Sequence, residues 1–210
     1  MPVITKIETQ RNKSRVNIFV NDSFFCGLNK ETAIIFGLKE NKEIDEEKLK
    51  TAIFESEVKS AFEKALDYTS RRMHTKKELL DKLVQKGYSQ EVVDKAIEKL
   101  EDYHYIDDNL FAKQFVQANS HLSKKVLQGK LFQKGISRDI ILENISDRTQ
   151  NDELELCLAL AKKYAKTKPI NSYKDLQKMQ ASLARKGFDF DIIKKASSLV
   201  SNKDEFDEAD

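Results

Sequence analysis

The chain of 210 residues carries 37 Lys+Arg against 35 Asp+Glu, is 34% charged and 40% hydrophobic, and holds only six glycines, two prolines and two cysteines. That composition excludes collagen-like and proline-rich architectures, and Cys26 and Cys157, far apart and outside any CxxC, argue against a disulfide framework or a zinc site. The start MPVITKIETQ is too polar for a signal peptide and no apolar run approaches membrane-spanning length, so a soluble, cytoplasmic protein is expected.

The first thirty residues read as strands. ITKIET and RVNIFV alternate and are rich in β-branched residues, with a polar turn at Gln10–Lys13 between them. Asn21-Asp22-Ser23 turns the chain into a third short run, FFCGL. Asn29 is placed to cap a short helix, KETAIIFGLK, which closes near Gly37. From Asp45 onward the pattern is helical. EEKLKTAIFESEVKSAFEKALDYTSRR sets Ile53, Phe54, Val58, Phe62, Ala65 and Leu66 at three-and-four spacing, and Thr75 with Glu78 forms a capping-box signature for the next helix.

A seven-residue phrase then recurs: LVQKGYS at 83–89, LFQKGIS at 131–137 and LARKGFD at 183–189. A period near fifty residues marks a repeated supersecondary unit. Each glycine (Gly87, Gly135, Gly187) suits the left-handed residue just past a helix end. In such a Schellman ending the apolar pairs Leu83/Tyr88, Leu131/Ile136 and Leu183/Phe188 meet. Ser89, Ser137 and Asp189 follow as N-caps, and Glu91, Asp139 or Asp191 adds an acid in the first turn. The phrase is therefore a stop-and-restart corner between two helices. With a further helix before each corner (AFEKALDYTSRR, NLFAKQFVQANS capped by Asp107 or Asp108, and ELCLALAKKYAK ending before Pro169), three three-helix units result. The expected fold is mainly α: tandem three-helix repeats in an elongated curved solenoid, behind a small N-terminal β-hairpin and helix. The expected boundaries are 1–50 for the N-terminal segment, 51–106, 107–151 and 152–203 for the repeats, and 204–210 for an acidic disordered tail.

Charge is unevenly spread. Residues 1–67 hold 11 Lys+Arg and 12 Asp+Glu, residues 68–203 hold 26 and 18, and the tail DEFDEAD adds five acids. A basic body suits an anionic partner, although dispersed lysines also serve solubility alone. Candidate contact residues are Arg71, Arg72, Lys76 and Lys77 at one helix junction. Lys124, Lys125, Lys130, Lys134 and Arg138 stand in the second unit, and Lys178, Arg185 and Lys186 in the third. The four second-unit lysines lie between core positions and are expected to point outward. Most aromatics fit core positions, which speaks against a base-stacking surface. Catalytic signals are missing: there is no GxxxxGK[ST], GxGxxG or HExxH. His74 reads as a helix-connection residue, and Asp107-Asp108 as a helix start after the aromatic corner Tyr103, Tyr105, Ile106.

YTSRRMHTKKELLDKLVQKG, YIDDNLFAKQFV and LQGKLFQKGISRDII together resemble the bacterial RecX family of recombination regulators. The likeness extends over the hairpin-bearing N-terminus and the third unit, almost the whole chain. One departure is Ser123-Lys124, where the family usually has Gly-Pro at a helix start. The resemblance implies a non-enzymatic, cofactor-free protein that binds the RecA recombinase or its filament on single-stranded DNA. It would modulate, typically inhibit, ATPase, strand-exchange and coprotease activities, in DNA repair and the SOS response. It is expected to be a monomer away from membranes. The competing reading is a direct single-stranded-DNA-binding helical-repeat module.

Overall fold

The computed structural model describes residues 2–201; the acidic segment 204–210 and the end of the third unit, 202–203, lie outside the described residues. The chain forms two compact units, Met1–Asp107 and Asp108–Asp210.

In the first unit three antiparallel strands, β1 (Ile4–Thr9), β2 (Arg15–Val20) and β3 (Ser23–Asn29), lie in sequence order. Alternation along β2 buries Val16, Ile18 and Val20, and register sets Ile18 against Ile7 on one side and Cys26 on the other. The β2–β3 turn places Asn21 and Asp22 at φ of 46° and 63°, the left-handed pair that a two-residue hairpin needs. Helix α1 (Lys30–Ile35) follows, with Gly37 at φ 55° after its end. Asn29 stands at its N-cap but sends its side chain to Arg15 and Ser60 instead of capping.

Helix α2 (Glu46–Thr69) starts on Asp45, whose carboxylate accepts the Lys48 N–H. It runs without a break past residue 50. Ile53 enters the sheet core, while Val58, Ala61 and Ala65 enter a second core with α3 (Lys76–Gln85) and α4 (Gln90–Asp102). Phe54, expected on the buried stripe, is exposed; Glu57 and Ala61 take the inward positions instead. The reason is Arg15. Both Arg15 and Glu57 are 2% exposed, and Arg15 Nη1 lies 2.9 Å from Glu57 Oε2. Glu57 Oε1 accepts the Asn29 N–H (2.7 Å) and the Thr32 hydroxyl (3.0 Å), and Arg15 Nη2 donates to the Gly27 carbonyl (3.1 Å). One buried pair thus ties β2, β3, the start of α1 and the middle of α2.

In the second unit α5 (Asp108–Ala118), α6 (Lys124–Gln133) and α7 (Arg138–Ile145) bury Phe111, Ala112, Leu127, Leu131, Ile136, Ile141 and Ile145. Helices α8 (Gln150–Thr167), α9 (Tyr173–Arg185) and α10 (Phe190–Ser198) close over Cys157, Ala161, Met179, Leu183, Phe188, Ile193 and Ala196. Thr149 and Asp152 make a reciprocal capping box at α8.

The three repeated corners have the expected Schellman bonds. Tyr88, Ile136 and Phe188 N–H groups donate to Leu83, Leu131 and Leu183 carbonyls, and Gly87, Gly135 and Gly187 donate to Val84, Phe132 and Ala184. All three glycines have φ between 83° and 94°. Of the three following caps only Ser137 bonds a helix N–H through its side chain (3.4 Å to Ile140); Ser89 and Asp189 hold the cap backbone geometry without that bond. A fourth corner of the same type was not visible in sequence: α4 ends with Tyr105 N–H on Leu100 O and His104 N–H on Glu101 O, and His104 takes the left-handed position at φ 56°.

Two stability tests follow from these features. Replacing Arg15 or Glu57 singly by Ala leaves the other charge buried without its partner and should cost about 3–5 kcal/mol in urea unfolding. The paired change Arg15→Met with Glu57→Leu should recover most of that; a single variant as stable as the parent would contradict the role given to the pair. A Cβ on Gly87 would lie 2.6 Å from Arg15 Cδ, and one on Gly187 2.7 Å from Ser123 Oγ. Gly87→Val and Gly187→Val should therefore lose more than the roughly 1–2 kcal/mol of left-handed backbone strain, whereas His104→Gly should raise the melting temperature by relieving it.

Candidate functional site

The charged groups sort into those that hold the fold and those left open to a partner. At the α2–α3 junction Arg71 lies 3.9 Å from Asp67, Arg72 donates to Glu78 at 2.9 Å, and Lys76 reaches Glu101 at 2.9 Å; Lys77 is exposed. Three of these four sequence candidates are therefore paired with carboxylates of their own unit.

His74, between them, is buried. Its Nδ1 is 3.0 Å from the Arg72 carbonyl oxygen, which can only accept, so Nδ1 carries a proton. Burial holds the imidazole pKa below its ordinary value, against the opposing Arg72 carbonyl bond. The folded state thus prefers the neutral ring. The stability this contributes is complete above the ordinary histidine pKa and is lost as pH falls through the depressed one. Urea midpoints of the parent should drop more between neutral and mildly acidic pH than those of His74→Gln; parallel pH profiles would contradict this.

In the second unit the expectation that four lysines point outward needs correction. Lys125 and Lys130 are exposed. Lys124 is half-buried: its N–H donates to Glu153 Oε1 (3.0 Å) and its Nζ to the Arg148 carbonyl (3.4 Å). Lys134 lies over the Phe111 and Phe115 rings, 5.4 and 6.0 Å from their centroids, in cation–π geometry. Arg138, Arg185 and Lys186 are exposed, and Lys178 bonds Asp175 at 2.9 Å. The Ser123-Lys124 departure leaves the helix start intact, because Ser123 Oγ accepts the Val126 N–H and donates to the Lys186 carbonyl at 2.7 Å.

Lys124 and Lys125 meet residues the sequence did not single out. With Arg148, Lys194 and Lys195 they line a cleft of about 660 Å³ between the start of α6, the start of α8 and the first turns of α10. Glu153 is consumed by Arg148 Nε (3.1 Å) and the Lys124 N–H. Asp189 and Asp191 stand at the rim, in the first turn of α10. Lys125, Lys194 and Lys195 have no carboxylate within 4 Å among the described residues. The neighbourhood is basic overall: residues 108–203 hold 18 Lys+Arg and 10 Asp+Glu, against 19 and 20 in residues 1–107. Nothing in the sequence of α10 announces that its lysines face α6; only the fold joins them.

Most described aromatics are buried or half-buried, as expected, but several are not. Phe132 on α6 and Phe190 on α10 are each 72% exposed, and Tyr103, Tyr105, Tyr173 and Phe24 are exposed as well. Phe132 stands four residues after the cleft residue Gln128 and Phe190 four before Lys194, so each continues a cleft-lining helical face. The thiols are inert by contrast. Burial and the Glu57 charge push Cys26 up to about 12, and burial with Glu153 pushes Cys157 up to about 11, so neither is a thiolate near neutrality.

Comparison with known proteins decides the lineage. Residues 2–45 match the regulatory protein RecX N-terminal domain, 61–100 the first RecX three-helix domain and 151–196 the third. The chain belongs to the RecX family. It is 37% identical to the regulatory protein RecX of Clostridioides difficile strain 630, over 99% of this chain and all of that one. It is 35% identical to that of Bacillus subtilis strain 168, over 99% of this chain and 80% of the other. A crystal structure of regulatory protein RecX superposes with a TM-score of 0.66 at 26% identity, covering 94% of this chain and all of that one. RecX from Lactobacillus salivarius gives 0.63 at 29%, covering 69% and 97%. This RecX-family chain is thus a regulatory-type protein, mainly helical behind a small sheet. Among its described residues no helix is long and apolar enough to cross a membrane.

Proposed function

We propose that this chain is a non-enzymatic, cytoplasmic regulator of homologous recombination and DNA repair. It binds RecA or the RecA filament on single-stranded DNA and lowers the filament's ATPase, strand-exchange and coprotease activities. RecX-family membership supports the class of function. The observation that carries the choice of surface is the cleft of the second unit, where Lys125, Lys194 and Lys195 have no carboxylate partners among the described residues. Cations not spent on internal pairs are the ones that can steer and hold an anionic assembly. By the same reasoning Lys124 and Lys134 belong to the fold, and the exposed Lys130, Arg138, Arg185 and Lys186 remain available to the same partner. Arg71, Arg72 and Lys76, already paired, contribute less.

A second reading, direct binding of single-stranded DNA by this chain, is favoured by Phe132 and Phe190, exposed on the helices that supply the lysines. Aromatic faces beside a cationic groove hold successive bases at about 1–3 kcal/mol each.

The test is RecA-driven ATP hydrolysis on single-stranded DNA, titrated with this protein across a range of salt. The triple variant Lys125→Glu, Lys194→Glu, Lys195→Glu should melt as the parent does yet need a several-fold higher concentration to suppress hydrolysis. Unaltered suppression would remove the cleft from the filament contact. If Phe132→Ala with Phe190→Ala abolishes binding to bare single-stranded DNA but keeps suppression, the two activities are separate and RecA contact is the operative one.

A further inference from the structure

The cleft of about 660 Å³ between the starts of α6, α8 and α10 carries charges of both signs. We infer that it is a binding site for a nucleoside polyphosphate, with the phosphates on Lys125, Lys194 and Lys195, the ribose on the rim carboxylates and the base against Phe190. Such a ligand is held by this chain alone, independently of RecA.

Lys125, Lys194 and Lys195 are exposed and have no carboxylate within 4 Å among the described residues. Arg148, on the same lining, spends Nε on Glu153 and Nη2 on the Ser120 carbonyl, while its Nη1 is buried without a hydrogen-bond partner. The volume lies within the range of about 300–1,000 Å³ that small-ligand sites occupy. A terminal phosphate carries about 1.5–2 negative charges and three acceptor oxygens, where a phosphodiester of a nucleic-acid strand carries about one charge. A short polyphosphate therefore matches three lysines clustered at one small cleft better than a strand that passes a phosphodiester through it.

The acids decide the rest of the ligand. Asp189 and Asp191 are exposed at the rim and form no salt bridge among the described residues. Asp189, although it is the N-cap of α10, makes no side-chain cap bond, so its carboxylate is not spent on the helix. Such carboxylates repel a polyanion laid across the rim, but they accept hydrogen bonds from hydroxyls, which a ribose supplies. Phe190 stands between them in sequence, is 72% exposed, and lies four residues before Lys194, on the same face of α10. An aromatic ring beside a cationic group stacks a nucleobase. A free polyphosphate uses neither the ring nor the acids; a nucleotide uses both.

The site is read by isothermal titration calorimetry of the full chain at low salt, with a chelator present and adenosine triphosphate, tripolyphosphate and adenosine as probes. The expected result is binding of adenosine triphosphate at a single site, several-fold weaker binding of tripolyphosphate and none of adenosine. Lys125→Gln with Lys194→Gln should weaken the nucleotide several-fold at an unchanged melting temperature. Lys130→Gln with Arg138→Gln, the same change of charge outside the cleft lining, should leave it unaltered. Phe190→Leu should weaken the nucleotide several-fold and leave tripolyphosphate as it was, and Asp191→Asn should weaken the nucleotide while tightening tripolyphosphate. Equal losses in the two double variants would mean attraction by bulk charge and would overturn the site. Nucleotide and tripolyphosphate bound alike, with no effect of Phe190→Leu or Asp191→Asn, would mean a phosphate site only and would overturn the nucleotide assignment. Absence of adenosine triphosphate binding at low salt would overturn both.

Discussion

The first unit depends on a buried ion pair that no hydrophobic pattern would propose. Arg15 leaves β2 and meets Glu57 in the middle of α2, with both side chains almost fully withdrawn from water. Desolvating two charges is tolerable because most of their polar atoms are engaged, Arg15 Nε being the exception, buried without a hydrogen-bond partner. Glu57 closes the start of α1 through the Asn29 N–H and the Thr32 hydroxyl, while Arg15 takes the Gly27 carbonyl and the Asn29 side chain. The guanidinium also stacks 5.3 Å from the Tyr88 ring, and Tyr88 shares a hydrogen bond with Ser60 of α2. The sheet, α1, α2 and the first glycine corner are therefore set by one pair. A small three-stranded sheet has too little core to orient itself, and this pair fixes it on the helix that carries the rest of the unit.

The second unit repeats the device in a more open form. Glu153 of α8 accepts an N–H from the first residue of α6 and pairs with Arg148, as Glu57 of α2 serves the start of α1 and pairs with Arg15. The glycine corners are read by earlier elements in the same way. The Lys86 carbonyl accepts from Asn12, and the Lys186 carbonyl accepts from Ser123. A Cβ would collide with Arg15 Cδ at Gly87 (2.6 Å) and with Ser123 Oγ at Gly187 (2.7 Å). Glycine is needed there twice: for the left-handed backbone that ends the helix, and for the close approach of the preceding segment.

This economy explains which cations remain for a partner. A lysine or arginine that satisfies a carbonyl, a carboxylate or an aromatic face inside its own unit is spent, as Lys124, Lys134, Arg72 and Arg148 are. The corner that brings α10 against the start of α6 gathers Lys125, Lys194 and Lys195 around one cleft, with no carboxylate within 4 Å of them among the described residues. The exposed rings of Phe132 and Phe190 stand on the same two helices, α6 and α10.

The sequence by itself determined the local events. Strand alternation in RVNIFV, the Asn-Asp turn, the Thr75 helix start and the three glycine corners are all short-range, because they depend on backbone sterics and hydrogen bonds within a few residues. His104 escaped because histidine is not a usual signal for a left-handed helix end, though the bonds it closes match those of the glycines. What only the tertiary structure decided is everything set by pairing across tens of residues. Arg15 with Glu57, Ser123 with the Lys186 carbonyl, and the gathering of Lys125 with Lys194 and Lys195 are examples. A charged residue in a sequence looks the same whether it faces water or a buried partner. Its role is settled by which opposite charge the fold brings within about 3 Å, and that distance exists only once distant helices have packed.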